Sequence, residues 1–315
     1  MPLITVGFNM DVVSLFSGCG GSDLGFEKAG CSIIFANDVS SRACETYSEN
    51  FGIPPANCDI RTIEKFPKAD ILIGCYPCQG FSLYGKRNMD DPRNFLFLEF
   101  SRALKQVDPD YFIAENVKGL LFKYGKEMLR RMLIAFSRRG YNVCWKLIDA
   151  KWYGAPQDRE RVFIVGVKKS IKKEYSFPEP THGEGLKPYV TIKDAIGGLP
   201  KPKKGECWEG TYSSHYMSRD RRRTWRQTSF TIQAQGRHVP LHPSSPKPIK
   251  VGKDKYVFPE SKREPRRMSL RECARIQTFP DRFKFIGPLT SQYIQVGNAV
   301  PPLISQKFAE SILGM

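Results

Sequence analysis

Short apolar runs alternate with helix-like stretches through the first half of the chain. Runs at 11–16, 33–36, 69–74 and 111–114 each end in glycine or polar residues, as buried strands do. Helical periodicity covers 95–106 and 126–139, and a helix capped near Ser22 or Asp23 is expected after the first strand. The segments 142–148 and 161–167 resemble a closing pair of strands. This alternation predicts an α/β fold built on a doubly wound sheet.

The periodic pattern fades after about residue 176. Pro, Gly, Lys and Arg are frequent from there to Arg267, and helical periodicity returns only at 270–277 and 301–313. The formal net charge is +17, and the segment from Lys201 to Arg267, with 17 basic and 6 acidic residues, carries +11 of it. This predicts an irregular, basic unit with a polyanionic partner, because each neutralised phosphate releases counterions. A merely solvated basic face is the alternative.

Other bulk features restrict the class of protein. The chain has no run of about 18 apolar residues and no signal-like start, and the basic segment lacks the amphipathic stripe of a membrane-surface helix. Its nine cysteines are an odd, scattered count, which favours free thiols over a disulfide framework. We therefore expect a soluble, cytoplasmic protein.

A glycine-rich turn follows the first predicted strand. Gly18-Cys19-Gly20 would let the backbone approach a nucleotide, and Asp38, after the second strand, could bind ribose hydroxyls. A dinucleotide-binding turn would have a third glycine at position 23, where this chain has Asp23. The turn therefore favours a different adenosyl cofactor.

A thiol lies in the loop after the third predicted strand, where sheets of this kind hold their active sites. Cys75 and Cys78 have the spacing of a redox pair or of half a zinc site, although no second ligand pair is present. Spacing alone leaves catalytic thiolate and redox pair open. Two more polar blocks lie at strand ends. Glu115-Asn116-Val117 ends one predicted strand, and Gln157-Asp158-Arg159-Glu160-Arg161 begins another. We therefore expect their side chains to lie near Cys78 in one active-site opening.

Six blocks together resemble, in order, those of cytosine-C5 DNA methyltransferases. They are Phe16-Ser17-Gly18-Cys19-Gly20-Gly21, Tyr76-Pro77-Cys78-Gln79, Glu115-Asn116-Val117, Gln157-Asp158-Arg159-Glu160-Arg161, Arg271-Glu272-Cys273-Ala274-Arg275-Ile276-Gln277 and Gly297-Asn298-Ala299-Val300-Pro301. The resemblance spans nearly the whole chain and is closest to the compact enzymes of restriction-modification systems. Two departures are Asp38, where Glu is more frequent, and Tyr76, where Pro is usual.

The resemblance implies the catalytic residues. Cys78 would add to C6 of cytosine, making C5 nucleophilic enough to take a methyl group. Glu115 would hold N3 and the exocyclic amine, and Arg159 and Arg161 would orient the base and stabilise the developing charge.

The resemblance also implies S-adenosyl-L-methionine as donor, with S-adenosyl-L-homocysteine as product and no metal. The residues expected to bind it are Phe16, Ser17, Gly18, Gly20, Gly21, Asp38, Val39, Asp59, Ile60, Pro77, Asn298 and Ala299.

The resemblance further implies double-stranded DNA as substrate, with the target cytosine flipped out under a closing loop at 80–94. Three stretches, together called the recognition segment, are similar to the recognition region of family members that methylate the internal cytosine of GGCC: Ser218-Arg219-Asp220-Arg221, Thr231-Ile232-Gln233-Ala234-Gln235-Gly236-Arg237 and Leu241-His242-Pro243. Arginine forks suit guanine. The predicted DNA-binding residues are Gln79, Ser82, Arg87, Arg219, Arg221, Thr231 and Arg237. Phosphate-only contacts by these arginines are the alternative.

The implied fold is a Rossmann-like mixed sheet with an inserted, small target-recognition domain. The catalytic domain would comprise 1–178 with 292–315, and the recognition domain and hinge 179–291. We expect a nucleoid-associated monomer, with a restriction endonuclease acting on the same site without a stable complex. A transfer-RNA cytosine methyltransferase and a non-catalytic DNA-binding or redox protein are the alternative functions.

Overall fold

The chain divides into two compact units. The computed structural model describes residues 10–77, 91–123 and 125–314. Unit 1 comprises 1–149, 160–179 and 302–315, and unit 2 comprises 150–159 and 180–301. The predicted boundary after residue 178 lies one residue from this division, whereas 150–159 and 292–301, which were expected in the catalytic domain, fall in unit 2.

Unit 1 is built on one six-stranded sheet. Its strands are β1 (Asp11–Leu15), β2 (Ser32–Asn37), β3 (Ile71–Gly74), β4 (Tyr111–Val117), β5 (Tyr141–Asp149) and β6 (Glu160–Lys168). Its helices are α1 (Gly21–Lys28), α2 (Ser41–Phe51), α3 (Phe97–Val107), α4 (Gly125–Ser137) and, from beyond unit 2, α9 (Pro302–Leu313). The six predicted strands are all present, and the predicted α/β class is confirmed.

The predicted cap of the first helix is wrong. The N-cap of α1 is Gly20, in the left-handed conformation with φ 89°, and the helix begins at Gly21. A side chain at Gly20 would collide with the ring of Phe51 in α2. The tight turn and the packing of α2 therefore set the start of this helix, and neither Ser22 nor Asp23 caps it.

The strand order is β2-β1-β3-β4-β6-β5. Strands β1 to β4 run parallel, and β6 pairs antiparallel with both β4 and β5. The register aligns Leu15 with Asn37 and Gly74, and Gly74 with Ala114. The residues that follow these positions, and the start of β6, therefore share one edge of the sheet, which we call the carboxyl edge.

Both faces of the sheet are covered by apolar packing. On one face, Phe112 of β4 makes edge-to-face contacts with Phe100, Phe136 and Tyr141 at ring-centroid distances of 5.2–5.8 Å. On the other, Phe163 of β6 stacks on Phe308 of α9 at 4.3 Å. Burial of each such ring contributes about 1.5–3 kcal/mol, so both faces hold the carboxyl edge in place.

Unit 2 has little regular structure. Its elements are α5 (Ile192–Ile196), α6 (Ser214–Met217), β7 (Ile249–Gly252), β8 (Lys255–Val257), α7 (Leu270–Ile276) and α8 (Leu289–Asn298). Helix α7 begins with a capping box between Ser269 and Glu272, and buried Glu272 accepts two hydrogen bonds from Arg266 at 2.7 and 2.8 Å. Polar anchors of this kind organise a unit that has few helices and strands. Across the described ranges of both units, no helix combines the length and apolarity needed to cross a bilayer.

Candidate active site and nucleic-acid interface

Two predicted catalytic side chains meet at the carboxyl edge. Arg161 Nε lies 3.0 Å from Glu115 Oε1, with the side chains 18% and 12% exposed. The antiparallel ladder fixes both backbones, because Glu115 is opposite Phe163 and Arg161 is opposite Val117. Burial lowers the pKa of Arg161, and the Glu115 charge opposes that effect. The result is a nearly dry, paired carboxylate and guanidinium, which can offer an acceptor and donors to a planar base.

The backbone that precedes Cys78 is anchored in the core. Tyr76 is buried and packs against Phe100 at 5.6 Å, and Asn116 Nδ2 donates to the Tyr76 carbonyl at 3.1 Å. Tyr76 therefore supplies packing where the family usually has Pro. The predicted residues Cys78, Gln79, Ser82 and Arg87 lie outside the described residues.

The glycine-rich turn and Asp38 form a polar cradle at the same edge. Gly18 N donates to Asp38 Oδ2, and Ser40 N to Asp38 Oδ1, each at 2.8 Å. Burial raises the pKa of Asp38, and these backbone donors partly oppose the rise. Ser17 N donates to the Asn37 carbonyl at 2.9 Å. One carboxylate oxygen thus holds the turn and the other holds the N-cap residue of α2, while further lone pairs remain for hydroxyl donors.

A second carboxylate flanks this cradle. Asn37 Nδ2 donates to the carbonyls of Ala56 and Cys58 at 2.8 and 3.0 Å, which fixes the segment before Asp59 beside the end of β2. Asp59 accepts from Arg61 N at 2.9 Å, and the Arg61 side chain lowers the pKa of Asp59 to about 2. Asp59 is therefore charged across the whole physiological range.

The residues around the turn fit an adenosyl group. Gly18 has φ 57°, and a Cβ built there would meet nothing within 4 Å, so open space lies above the turn. Phe16 is half-buried beside Tyr76, with ring centroids 6.3 Å apart, and Val39 is 72% exposed. Apolar side chains and two carboxylates suit an adenosyl group, because its adenine ring has apolar faces and its amine and ribose hydroxyls donate hydrogen bonds. The side chain of Ile60 belongs to the hydrophobic core, so it supports the site by packing.

In unit 2, the predicted residue Arg159 is only 3% exposed. Its guanidinium donates to the carbonyls of Ile232, Gly297 and Ala299 at 3.3, 3.1 and 2.9 Å. It thereby holds the backbone on both sides of Asn298, whose side chain is exposed. Arg159 was predicted to orient the base beside Arg161; within unit 2, the structure gives it a backbone-holding position.

Gln157 and Asp158 bind the recognition segment. Gln157 Nε2 donates to Gln277 Oε1 at 2.5 Å, and its Oε1 accepts from Ile232 N at 3.3 Å. Asp158 accepts from Arg223 and Thr228 at 3.0 and 2.8 Å. Thr231, a predicted DNA-binding residue, donates its hydroxyl to the Asp158 carbonyl at 2.5 Å. These bonds fix residues 228–232 against 157–158.

The three predicted arginine readers differ in exposure. Arg219 and Arg237 are exposed, and Arg237 Nε donates to Gln235 Oε1 at 3.0 Å. Arg221 is only 8% exposed, and its Nη2 donates to the Thr231 carbonyl at 3.4 Å. Its guanidinium is thus not presented at the surface with the other two.

Sequence reasoning missed Arg267. This residue is 2% exposed, and it donates to the carbonyls of Arg237, Gly210 and Thr211 at 3.0–3.1 Å. Its guanidinium lies 4.1 Å from the ring centre of Tyr212. Arg267 therefore positions the backbone of one exposed reader. The doublet Arg266-Arg267 gives no sequence signal of which arginine is buried.

The C-5 cytosine-specific DNA methylase family matches residues 10–314. The type II methyltransferase M.MthTI of Methanothermobacter thermautotrophicus is 45% identical, covering 96% of this chain and 97% of that protein. M.BsuRI of Bacillus subtilis is 44% identical, covering 96% and 79%. The fold is similar to that of a prophage-encoded E. coli protein, with a TM-score of 0.74 at 24% identity over 97% of this chain and 99% of the other.

Proposed function

Because this chain belongs to the C-5 cytosine-specific DNA methylase family, we propose that it methylates the internal cytosine of duplex GGCC through a covalent bond to Cys78. The broader activity, methyl transfer to C5 of cytosine in DNA, is that of the family, and the relatives compared above are type II methyltransferases. The observation that carries the proposed chemistry on cytosine is the Glu115–Arg161 pair at the carboxyl edge. Glu115 is on β4, which is flanked by β6 with Arg161 and by β3, the strand that precedes Cys78.

The chemistry requires these groups because C5 of cytosine is a poor nucleophile. The Cys78 thiolate forms a bond to C6, and the displaced ring electrons raise the electron density at C5 and N3. In its protonated form Glu115 donates a hydrogen bond or its proton at N3, and Arg161 stabilises charge on the same ring. Once C5 carries its new substituent, water takes the C5 proton, the thiolate of Cys78 leaves C6, and N3 returns its proton to Glu115, which restores the aromatic ring.

We place the methyl donor at the cradle of Gly18, Asp38 and Asp59. When bound, S-adenosyl-L-methionine supplies an electrophilic methyl group. Asp38 accepts from the ribose hydroxyls, Asp59 accepts from the adenine amine, and Phe16 covers the adenine. The same proposal includes Ser17, Gly20, Gly21, Val39, Ile60, Pro77, Asn298 and Ala299 in the cofactor site.

DNA binds with the target base flipped out, because a stacked cytosine is out of reach of a thiol. We propose Arg219 and Arg237 as guanine readers, since both are exposed. Arg221 and Thr231 act by holding the recognition segment, and Arg159 acts by holding the backbone beside Asn298. Gln79, Ser82 and Arg87 remain proposed contacts. The protein acts as a monomer in the cytoplasm, with an endonuclease of the same site that it does not bind stably.

Transfer of tritiated methyl groups tests the proposal. We expect incorporation into a GGCC duplex, at least about tenfold less into duplexes with one substituted base pair, and none into transfer RNA. Cys78→Ala abolishes incorporation, whereas the matched variant Cys75→Ala keeps it. A duplex with 5-fluorocytosine at the target traps a denaturation-resistant adduct, because fluorine cannot leave as a proton does. Equal rates on GGCC and a scrambled site reject the specificity, and activity of Cys78→Ala rejects the nucleophile.

A further inference from the structure

The hairpin of β7 and β8 presents an apolar face to solvent. Ile249 pairs with Val257, so both side chains leave the same face of the hairpin. Ile249 is 46% exposed and Val257 is 36% exposed, and Val251, at the register shift between Lys250 and Gly252, is 51% exposed. A two-stranded hairpin is marginally stable in water, and a group of aliphatic side chains on its outer face indicates a surface that another molecule covers.

The inner face of this hairpin is fixed to unit 2. The side chain of Tyr256 points to the face opposite that of Val257. Together with Phe258, it packs against the cluster of Tyr216, Met217 and Leu241. This anchoring keeps the outer face turned away from the core of the unit. The outer face is therefore a stable feature of the fold.

The charges of the hairpin define the kind of partner. Lys250, Lys253 and Lys255 are exposed, and in the part of the chain that the structure describes no carboxylate lies within ion-pair distance of them. Asp254 is the only acidic residue between Ile249 and Val257. Lys255 lies on the same side of β8 as Val257, Lys253 is in the turn, and Lys250 pairs with Tyr256 on the other face, so the lysines surround the aliphatic side chains. Positive charges around an aliphatic surface match a polyanion whose charges border apolar rings, as phosphates border deoxyribose.

The hairpin also adjoins the proposed reading segment. Lys247, two residues before β7, has its Nζ 3.8 Å from Asp220 Oδ2, and Asp220 lies between Arg219 and Arg221. Strand β8 packs against α6, which ends two residues before Arg219. A duplex held by Arg219 would therefore run close to the hairpin.

We propose that this hairpin binds the DNA duplex beside the recognition sequence, with its lysines on phosphates and its aliphatic side chains against deoxyribose. The inference rests on the proposed function. Backbone contacts carry no sequence information, so the hairpin raises affinity for DNA and leaves base discrimination to other residues.

The test removes the three hairpin charges together, as Lys250→Gln, Lys253→Gln and Lys255→Gln. The matched control removes Lys105, Lys169 and Lys172 in the same way; these are exposed lysines at the edge of the unit 1 sheet opposite the carboxyl edge. The KM for a GGCC duplex that extends a helical turn beyond the site is measured over a salt series. Thermal unfolding checks that both variants are folded.

We expect the slope of log KM against log salt to fall by about 2 to 3 in the hairpin variant, at about 0.9 per lost phosphate contact. The kcat and the discrimination against substituted sites stay within about twofold. A slope equal to that of the control overturns the inference, as does a concentration-dependent dimer of the wild type that Ile249→Glu dissociates, since the occupant is then a second copy. Failure of the wild type to methylate DNA at all would instead sink the proposed function.

Discussion

At the scale of single residues, Glu115 and Arg161 show how placement on two paired strands holds catalytic side chains in a fixed position. Their backbones are held by ladder hydrogen bonds, so the carboxylate and the guanidinium need little reorganisation to meet a base. Their low exposure strengthens every electrostatic contact that they make, because water screens it less.

Replacing Glu115 tests this pre-organised pair. Glu115→Gln keeps the size and the hydrogen-bonding face but cannot supply a proton, so kcat should fall about 10²- to 10⁴-fold with DNA affinity nearly unchanged. Single-turnover methyl transfer measures it. The control is Glu160→Gln, which breaks a half-exposed pair with Lys118 at the same edge and should change the rate less than about threefold. Equal losses in the two variants would contradict the role of Glu115.

Buried Asp23 is a titratable group that the proposed chemistry does not use. Burial raises the pKa of Asp23 to about 6, although Tyr47 donates a hydrogen bond to it at 2.9 Å. The folded state therefore keeps a proton that the unfolded chain loses near 3.8. Folding stability from this group is complete below pH about 4 and is lost as pH rises through about 6.

The pH dependence of unfolding tests this assignment. The rise in pKa corresponds to roughly 3 kcal/mol, so Asp23→Asn should gain up to about that much stability relative to wild type between pH 4 and pH 7. Urea unfolding at several pH values measures the difference. Parallel stability curves for the two proteins would show that Asp23 ionises normally in the fold.

At the scale of elements, the end of α8 is shaped by one glycine. A Cβ at Gly297 would collide with the backbone of Gln233 and Ala234, so this helix can approach the recognition segment only without a side chain there. Arg159 then holds the carbonyl of the same glycine. The close approach, and not flexibility, explains a glycine inside a helix.

Gly297→Ala separates packing from helix propensity. Propensity alone predicts a gain of about 1 kcal/mol, whereas the collision predicts a loss of about 2–4 kcal/mol through backbone displacement. Denaturant unfolding decides the sign. Gly198→Ala is the control, since a Cβ there meets nothing within 4 Å and should cost under about 1 kcal/mol. A Gly297→Ala protein as stable as the control would refute the close approach.

The same scale shows which elements can be predicted from sequence. Five of the six sheet strands contain a short, mainly apolar run, so the local pattern predicts their positions. Strand β5 is less regular, because Asn142 and Lys146 interrupt its apolar residues. The hairpin of β7 and β8 carries lysines and depends on Tyr256 packing against distant residues, so no local pattern indicates it. The start of α1 was missed because Phe51, about thirty residues away, decides it.

At the scale of the whole molecule, the grouping of polar residues at the carboxyl edge could be predicted from the sequence, whereas the roles of the individual arginines could not. The ends of neighbouring strands lie together, so Glu115 and Arg161 were expected at one edge with Cys78, and the structure brings the first two together there. Whether an arginine reads DNA or binds carbonyls depends on segments far along the chain. Arg267 illustrates this, since its acceptors are 30 to 57 residues distant.

The stacking of Phe163 on Phe308 has a consequence for biosynthesis. The two rings belong to one sheet face, yet all of residues 180–301 are translated between them. A nascent chain on the ribosome therefore holds that face open until α9 has emerged, and chaperones have an apolar surface to bind during this interval. Termination before α9 leaves all six strands present but one apolar face of the sheet uncovered.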